Sequence, residues 1–168
     1  YESEQAKPKP ETLAKIAFET GYPEEFFSGG QVDEPNVQTA SFRSMSNIIA
    51  ADRHAALAAG SLAFLLGDWV ENLFELPEPE VLDLGAELSP ESAARTLREA
   101  WGMGVRPVKN MVRLLEAKGV RVFSLVEDTR TVDAFSLWRN EKPYIFLNTV
   151  KTSERSRFDA AHELGHLV

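Results

Sequence analysis

Two of the three histidines in this 168-residue chain, His162 and His166, lie four residues apart near its end. Residues four apart share one face of a helix about 6 Å from each other, so both imidazoles can converge on one metal ion. Glu163 follows the first histidine and is placed to take a proton from water without ligating the ion. The H-E-x-x-H pattern therefore predicts a zinc site with His162 and His166 as ligands and Glu163 as the catalytic base. Gly165 costs a helix about 1 kcal/mol relative to alanine, which predicts close approach by a neighbouring element.

A zinc site needs a third protein ligand. The remaining histidine, His54, lies in a predicted helix, where we expect it to face solvent or to pack. Asp159 is about 10 Å from His166 along a helix, so we interpret it as a first-turn carboxylate or a group that orients an imidazole. The third ligand is then expected to be an acidic residue beyond Val168. Two surface or core histidines on an amphipathic helix are the simpler alternative.

Composition restricts the remaining classes of function. With 43% hydrophobic and 26% charged residues and no cysteine, the chain is typical of a soluble globular protein without disulfides, cysteine-bound metal or thiol catalysis. Basic and acidic residues number five and nine over 1–53, none and eight over 54–94, and thirteen and nine over 95–168. The acidic middle argues against a nucleic-acid surface along the whole chain, because phosphate binding needs Lys and Arg. With no basic leader and no long apolar run, we expect a cytoplasmic protein with no membrane contact.

Hydrophobic periodicity and capping signals predict an α+β fold: N-terminal helices, a small antiparallel sheet and a terminal H-E-x-x-H helix. The sheet is expected to be a meander, since its three strands follow one another closely. The long helix is predicted to carry one apolar stripe formed by Leu62, Leu65, Leu66, Trp69, Val70 and Leu73. The predicted elements are a helix from Pro10 to a stop at Gly21, a helix from about Ser46 or Asn47 to Phe74, helices opening at Ser89-Pro90-Glu91 and at Pro107, strands Val120–Val126, Thr131–Trp138 and Tyr144–Asn148, and a helix capped near Thr152 or Ser153.

The segment Glu91–Val168 contains the runs AARTLREAWGMG, NMVRLLEAKGV, VDAFSLW, PYIFLNT and SRFDAAHELGHL, and it closely resembles the ImmA/IrrE family of zinc metallopeptidases. The opening run KPKPETLAKIAFETGYPEEFF resembles the last helix and exit of an Xre-type helix-turn-helix domain, and Ser41–Leu84 is similar to the region that connects the two. The resemblance implies a helix-turn-helix remnant over 1–27, a linker and long connecting helix over 28–88, and the N-terminal part of a metallopeptidase domain over 89–168.

The same resemblance implies a truncated gluzincin-like α+β domain in which His162 and His166 bind zinc, Glu163 activates water and a downstream acidic residue completes the site. Members of the family cleave repressor-type partner proteins. We therefore expect a helix-turn-helix regulator fused to a zinc-dependent endopeptidase that cleaves a specific partner. The alternative is an antitoxin or transcriptional regulator of a toxin–antitoxin or mobile-element system that uses its peptidase-like domain for partner binding.

By this resemblance the sequence is expected to be a fragment. Zinc is expected in the full-length protein and to be weak or absent in residues 1–168, which are also expected to lack catalysis and sequence-specific DNA binding. The expected partners are a protein substrate or toxin, and DNA through a helix-turn-helix region outside these residues. A homodimer driven by apolar side chains that truncation exposes, and not formed by the full protein, is an open alternative.

Overall fold

The structure is a computed structural model that describes residues 7–30, 32–35, 50–85, 88–125, 132–150 and 152–168. The chain divides into two compact units, residues 1–32 and residues 33–168. No helix of the described residues is both long and apolar enough to cross a membrane.

The first unit contains helix α1 (Pro10–Thr20) and a 3-10 helix (Glu24–Ser28). Proline opens α1 and Gly21 ends it with a left-handed φ of 73°, a conformation that glycine adopts without strain. Both ends of the predicted helix are therefore confirmed.

The second unit confirms the α+β class. The caps predicted at Ser89 and Thr152 are present, since each hydroxyl accepts a hydrogen bond from a backbone N–H three residues later. The helix predicted from Pro107 begins four residues later, because the side chain of Asn110 caps it. The elements are α2 (Ala50–Leu73), α3 (Pro90–Ala100), α4 (Met111–Ala117), β1 (Arg121–Ser124), β2 (Ala134–Arg139), β3 (Lys142–Leu147) and α5 (Ser153–Leu167).

The three strands form a mixed sheet in the order β1-β3-β2. β2 and β3 are antiparallel, while β1 runs parallel to β3, so the predicted antiparallel meander is wrong for β1. Asn140 and Glu141 both have positive φ, 49° and 63°, as in the two-residue turns that join adjacent strands. This turn fixes β2 beside β3, but it does not determine which side of the hairpin the earlier strand joins.

Successive side chains of a strand point to opposite sides of the sheet. Because the side chains from Tyr144 to Leu147 are all buried, the central strand β3 is buried on both faces. Tyr144 and Phe146 belong to one apolar cluster with Phe64 of α2, and Ile145 and Leu147 belong to a second cluster with residues of α3, α4 and α5. The sheet is therefore a middle layer, with α2 on one side and α5 on the other.

Small residues and Phe64 form the face of α2 that packs on the sheet. A Cβ atom on Gly67 would lie 3.4 Å from the hydroxyl oxygen of Tyr144, so the helix backbone comes close to the strands. Most of the predicted apolar stripe of α2 lies instead on the side away from the sheet, where four of its six side chains are exposed. The buried residues of α2 are Ala56, Gly60, Ser61, Ala63, Phe64 and Gly67.

Ion pairs join the C-terminal half of α2 to the sheet. Arg139 donates to Asp68 at 2.7 Å, and this hydrogen bond holds the pKa of Asp68 below its usual value despite partial desolvation. Desolvation raises the pKa of Glu71, but hydrogen bonds from Lys142 and Arg121 outweigh it and leave that pKa lowered. Both carboxylates are therefore stabilised in their charged forms by contacts with the folded sheet.

Candidate metal centre

Helix α5 presents the H-E-x-x-H residues through its packing on the sheet. Ala160, Leu164 and Leu167 are buried in the second apolar cluster, at the spacing of one helix face. Glu163 is also directed inward and is 2% exposed, whereas the side chains of His162 and His166 are exposed. The helix thus places the carboxylate beneath an accessible pair of imidazoles.

The two imidazoles have the geometry of a metal-ligand pair. Their Nε2 atoms are 3.2 Å apart, and the ring planes are inclined by 89°. Zinc–nitrogen bonds of about 2.0–2.1 Å at a tetrahedral angle put two ligand nitrogens roughly 3.3–3.4 Å apart, so zinc fits with a small adjustment. The same separation allows an N–H···N hydrogen bond between the rings. His162, Glu163 and His166 are a possible metal-binding group among the described residues, with ligand atoms all within 4.8 Å of one another.

The carboxylate of Glu163 is anchored by a residue that the sequence analysis missed. The Oγ of Ser136 on β2 donates to Oε2 of Glu163 at 2.8 Å, and Oγ also lies 3.2 Å from the backbone oxygen of Glu163. Ser136 is 1% exposed, so both partners of this hydrogen bond are shielded from water. A serine between Phe135 and Leu137 in a mostly apolar strand was the available signal, since buried hydroxyl groups have hydrogen-bond partners.

Asp159 does not have either of the roles expected for it. It lies in the second turn of α5, where its Oδ1 is 3.5 Å from Nε of Arg155. Its Oδ2 is buried and has no hydrogen-bond partner among the described residues. The carboxylate therefore orients neither imidazole here.

Two further expectations are settled by the positions of single residues. His54 is exposed on α2 and lies outside the histidine–glutamate group, as predicted. The explanation given for Gly165 is wrong, because no atom of the described residues outside its own helix neighbourhood lies within 4 Å of where its Cβ would be. The acidic third ligand expected beyond Val168 stays a prediction.

The end of α5 is held by the segment that precedes α3. The backbone N–H of Leu84 donates to the carbonyl oxygen of Val168 at 2.9 Å, two residues after His166. This bond connects that segment to the last turn of α5. It supports the helix turn that carries the second histidine.

Residues 115–168 match the peptidase family model described as the IrrE N-terminal-like domain. This segment is similar to that domain. The match runs from the end of α4 through the sheet and includes the whole H-E-x-x-H motif. No curated protein and no solved structure matches the chain. The match does not reach residues 1–27, so the helix-turn-helix remnant and the domain boundaries stay predictions.

Proposed function

We propose that this chain contributes the metal-binding helix of a zinc-dependent endopeptidase that cleaves a specific repressor-type protein. The observation that carries the proposal is the pair of imidazole nitrogens 3.2 Å apart, with the buried carboxylate of Glu163 beside them. The similarity of residues 115–168 to the IrrE N-terminal-like domain supports the same chemistry.

The roles of the side chains follow from their positions. His162 and His166 would hold the zinc ion through their Nε2 atoms. Bound zinc supplies Lewis acidity, which polarises a peptide carbonyl and makes water a better nucleophile. Glu163 would accept a proton from the attacking water and pass it to the leaving amine nitrogen. Ser136 holds one oxygen of that carboxylate, which keeps the base in place beside the imidazoles.

The test is cleavage of the partner protein by the full-length protein with Glu163→Gln. Loss of a general base lowers the rate by about 10²–10⁴-fold, while the two histidine ligands remain. We expect cleavage, followed by gel electrophoresis, to disappear and zinc content, measured by mass spectrometry, to persist. Glu154→Gln is the matched control, because Glu154 is an exposed residue in the first turn of the same helix.

Cleavage at the normal rate by Glu163→Gln would rule out the proposed role of this residue. Partner binding without any cleavage in the unmodified protein would favour the alternative, an antitoxin or transcriptional regulator that uses the peptidase-like domain for binding. DNA contact through a helix-turn-helix region and a cytoplasmic location remain proposals that this experiment does not address.

A further inference from the structure

Helix α2 is apolar on two opposite sides. One side packs on the sheet, and the other, the outer face, contains no charged residue along its whole length. Asp68 and Glu71, the charged residues in its C-terminal half, pair with arginine and lysine of the sheet. A contiguous apolar face exposed on a helix often marks an interaction surface. The outer face consists of Ala51, Ala55, Ala58, Leu62, Leu65, Leu66, Trp69 and Leu73.

The exposed area of this face is close to what a stable dimer needs. Leu65, Leu66, Trp69 and Leu73 are 45%, 50%, 59% and 58% exposed. These four side chains present roughly 450 Å² of surface, the size of the largest apolar patch on a typical monomer, and such patches are often interaction sites. Two copies would together bury up to about 900 Å² from these side chains, so Leu62 and the alanines supply the rest of the roughly 1,000–1,200 Å² of a small specific interface.

The order of small and large residues along the outer face is self-complementary. Alanine occupies the N-terminal half, and leucine and tryptophan occupy the C-terminal half. An antiparallel pair centred on Leu62 places each alanine opposite a large side chain of the other copy, which fills the space between two closely packed helices. A parallel pair would bring tryptophan against tryptophan and leave a gap between the alanines. The opposed pairs are Ala51 with Leu73, Ala55 with Trp69, and Ala58 with Leu66.

We propose that the outer face of α2 binds the same face of a second copy of this chain, as an antiparallel helix pair with a twofold axis near Leu62. Such an interface is isologous, because the same surface contributes from both copies. It covers the apolar stripe without using any residue of the H-E-x-x-H group. The inference is therefore independent of the proposed peptidase activity.

Cysteine cross-linking tests the direction of the pair, since the chain contains no cysteine of its own. Leu62→Cys should form a disulfide with itself across the twofold axis. Leu73→Cys alone should not, because at 1.5 Å per residue the two copies of this position are about 33 Å apart. A mixture of Ala51→Cys and Leu73→Cys chains should cross-link. Self-cross-linking of Leu73→Cys would overturn the antiparallel arrangement.

Sedimentation velocity of the full chain tests whether the pair exists. We expect the unmodified chain to form a dimer at micromolar concentration. The double variant Leu66→Glu/Trp69→Glu should have a dissociation constant at least 100-fold higher and an unchanged circular dichroism spectrum. Val105→Glu is the control, because Val105 is 99% exposed and lies outside α2. A monomeric unmodified chain, as expected if a different protein covers this face, would overturn the proposal. A dimer that persists in the double variant would overturn it equally.

Discussion

Replacing Ser136 with alanine tests how the fold holds the candidate catalytic base. The substitution removes the hydroxyl that donates to Oε2 of Glu163 at 2.8 Å and leaves the rest of β2 unchanged. Because both residues are almost completely buried, water does not replace the lost donor without rearrangement. The carboxylate is then left with one fewer partner in a poorly solvated position.

The expected loss of stability follows from the type of hydrogen bond. A hydrogen bond to a charged group contributes about 1.5–3 kcal/mol, compared with about 0.5–1.5 kcal/mol for a neutral pair. For a chain of this size, about 2–4 °C of melting temperature corresponds to 1 kcal/mol, so we expect a decrease of roughly 3–12 °C. In a Glu163→Gln background the same substitution should cost only about 0.5–1.5 kcal/mol, because the remaining bond is neutral.

The measurements are thermal unfolding and urea unfolding, each followed by circular dichroism, for the two single variants and the double variant. Ser61→Ala is the matched control, because Ser61 is also buried, but its hydroxyl donates to the backbone oxygen of Leu57 in the same helix at 3.2 Å. We expect the control to lose less than about 1 kcal/mol. Equal losses for Ser136→Ala and Ser61→Ala would refute the reasoning, since the charged partner would then contribute nothing extra.

Three further predictions concern the backbone, the ion pairs and the metal. Gly119→Ala should destabilise the protein by about 2 kcal/mol or more in urea unfolding, because φ is 76° and a Cβ would lie 2.3 Å from the backbone oxygen of Glu78. Gly102 also has a left-handed φ, but no atom obstructs its Cβ position, so Gly102→Ala should lose less stability. The pKa of Glu71 is lowered on folding, so this residue stabilises the protein above its unfolded pKa of about 4.5, and the stabilisation is lost as the pH falls below that value. Glu71→Gln should therefore flatten the decline of melting temperature between pH 5 and pH 3, and an unchanged slope would contradict this. His166→Ala should weaken zinc binding by the full-length protein at least about 100-fold in competition with a chelator. The melting temperature of the zinc-free protein should change little because the side chain is exposed, and unchanged zinc affinity would exclude His166 as a ligand.

Local features of this chain could be predicted from sequence because they depend on neighbouring residues. The i, i+4 spacing of His162 and His166 leads to convergent imidazoles in any α-helix. Thr152 caps that helix because its side chain accepts a hydrogen bond from a backbone N–H only three residues away. The runs rich in β-forming residues and the left-handed C-cap at Gly21 were recognisable for the same reason.

The fold and the support of the site depended on contacts between distant residues. The two sides of α2 are both apolar, so hydrophobicity alone favoured the stripe with the larger side chains, whereas close packing on the sheet selected the side with glycine and alanine. Likewise, β1 joined β3 rather than β2, an outcome that closeness along the chain does not determine.

The sequence by itself therefore determined the H-E-x-x-H helix and the convergence of its two imidazoles, because helix geometry is set within a few residues. Only the tertiary structure decided that Ser136, 27 residues before Glu163, binds its carboxylate, and that the outer face of α2 is left exposed. Both outcomes follow from which surfaces fit together at close packing, and that fit is a property of the folded chain rather than of any short segment.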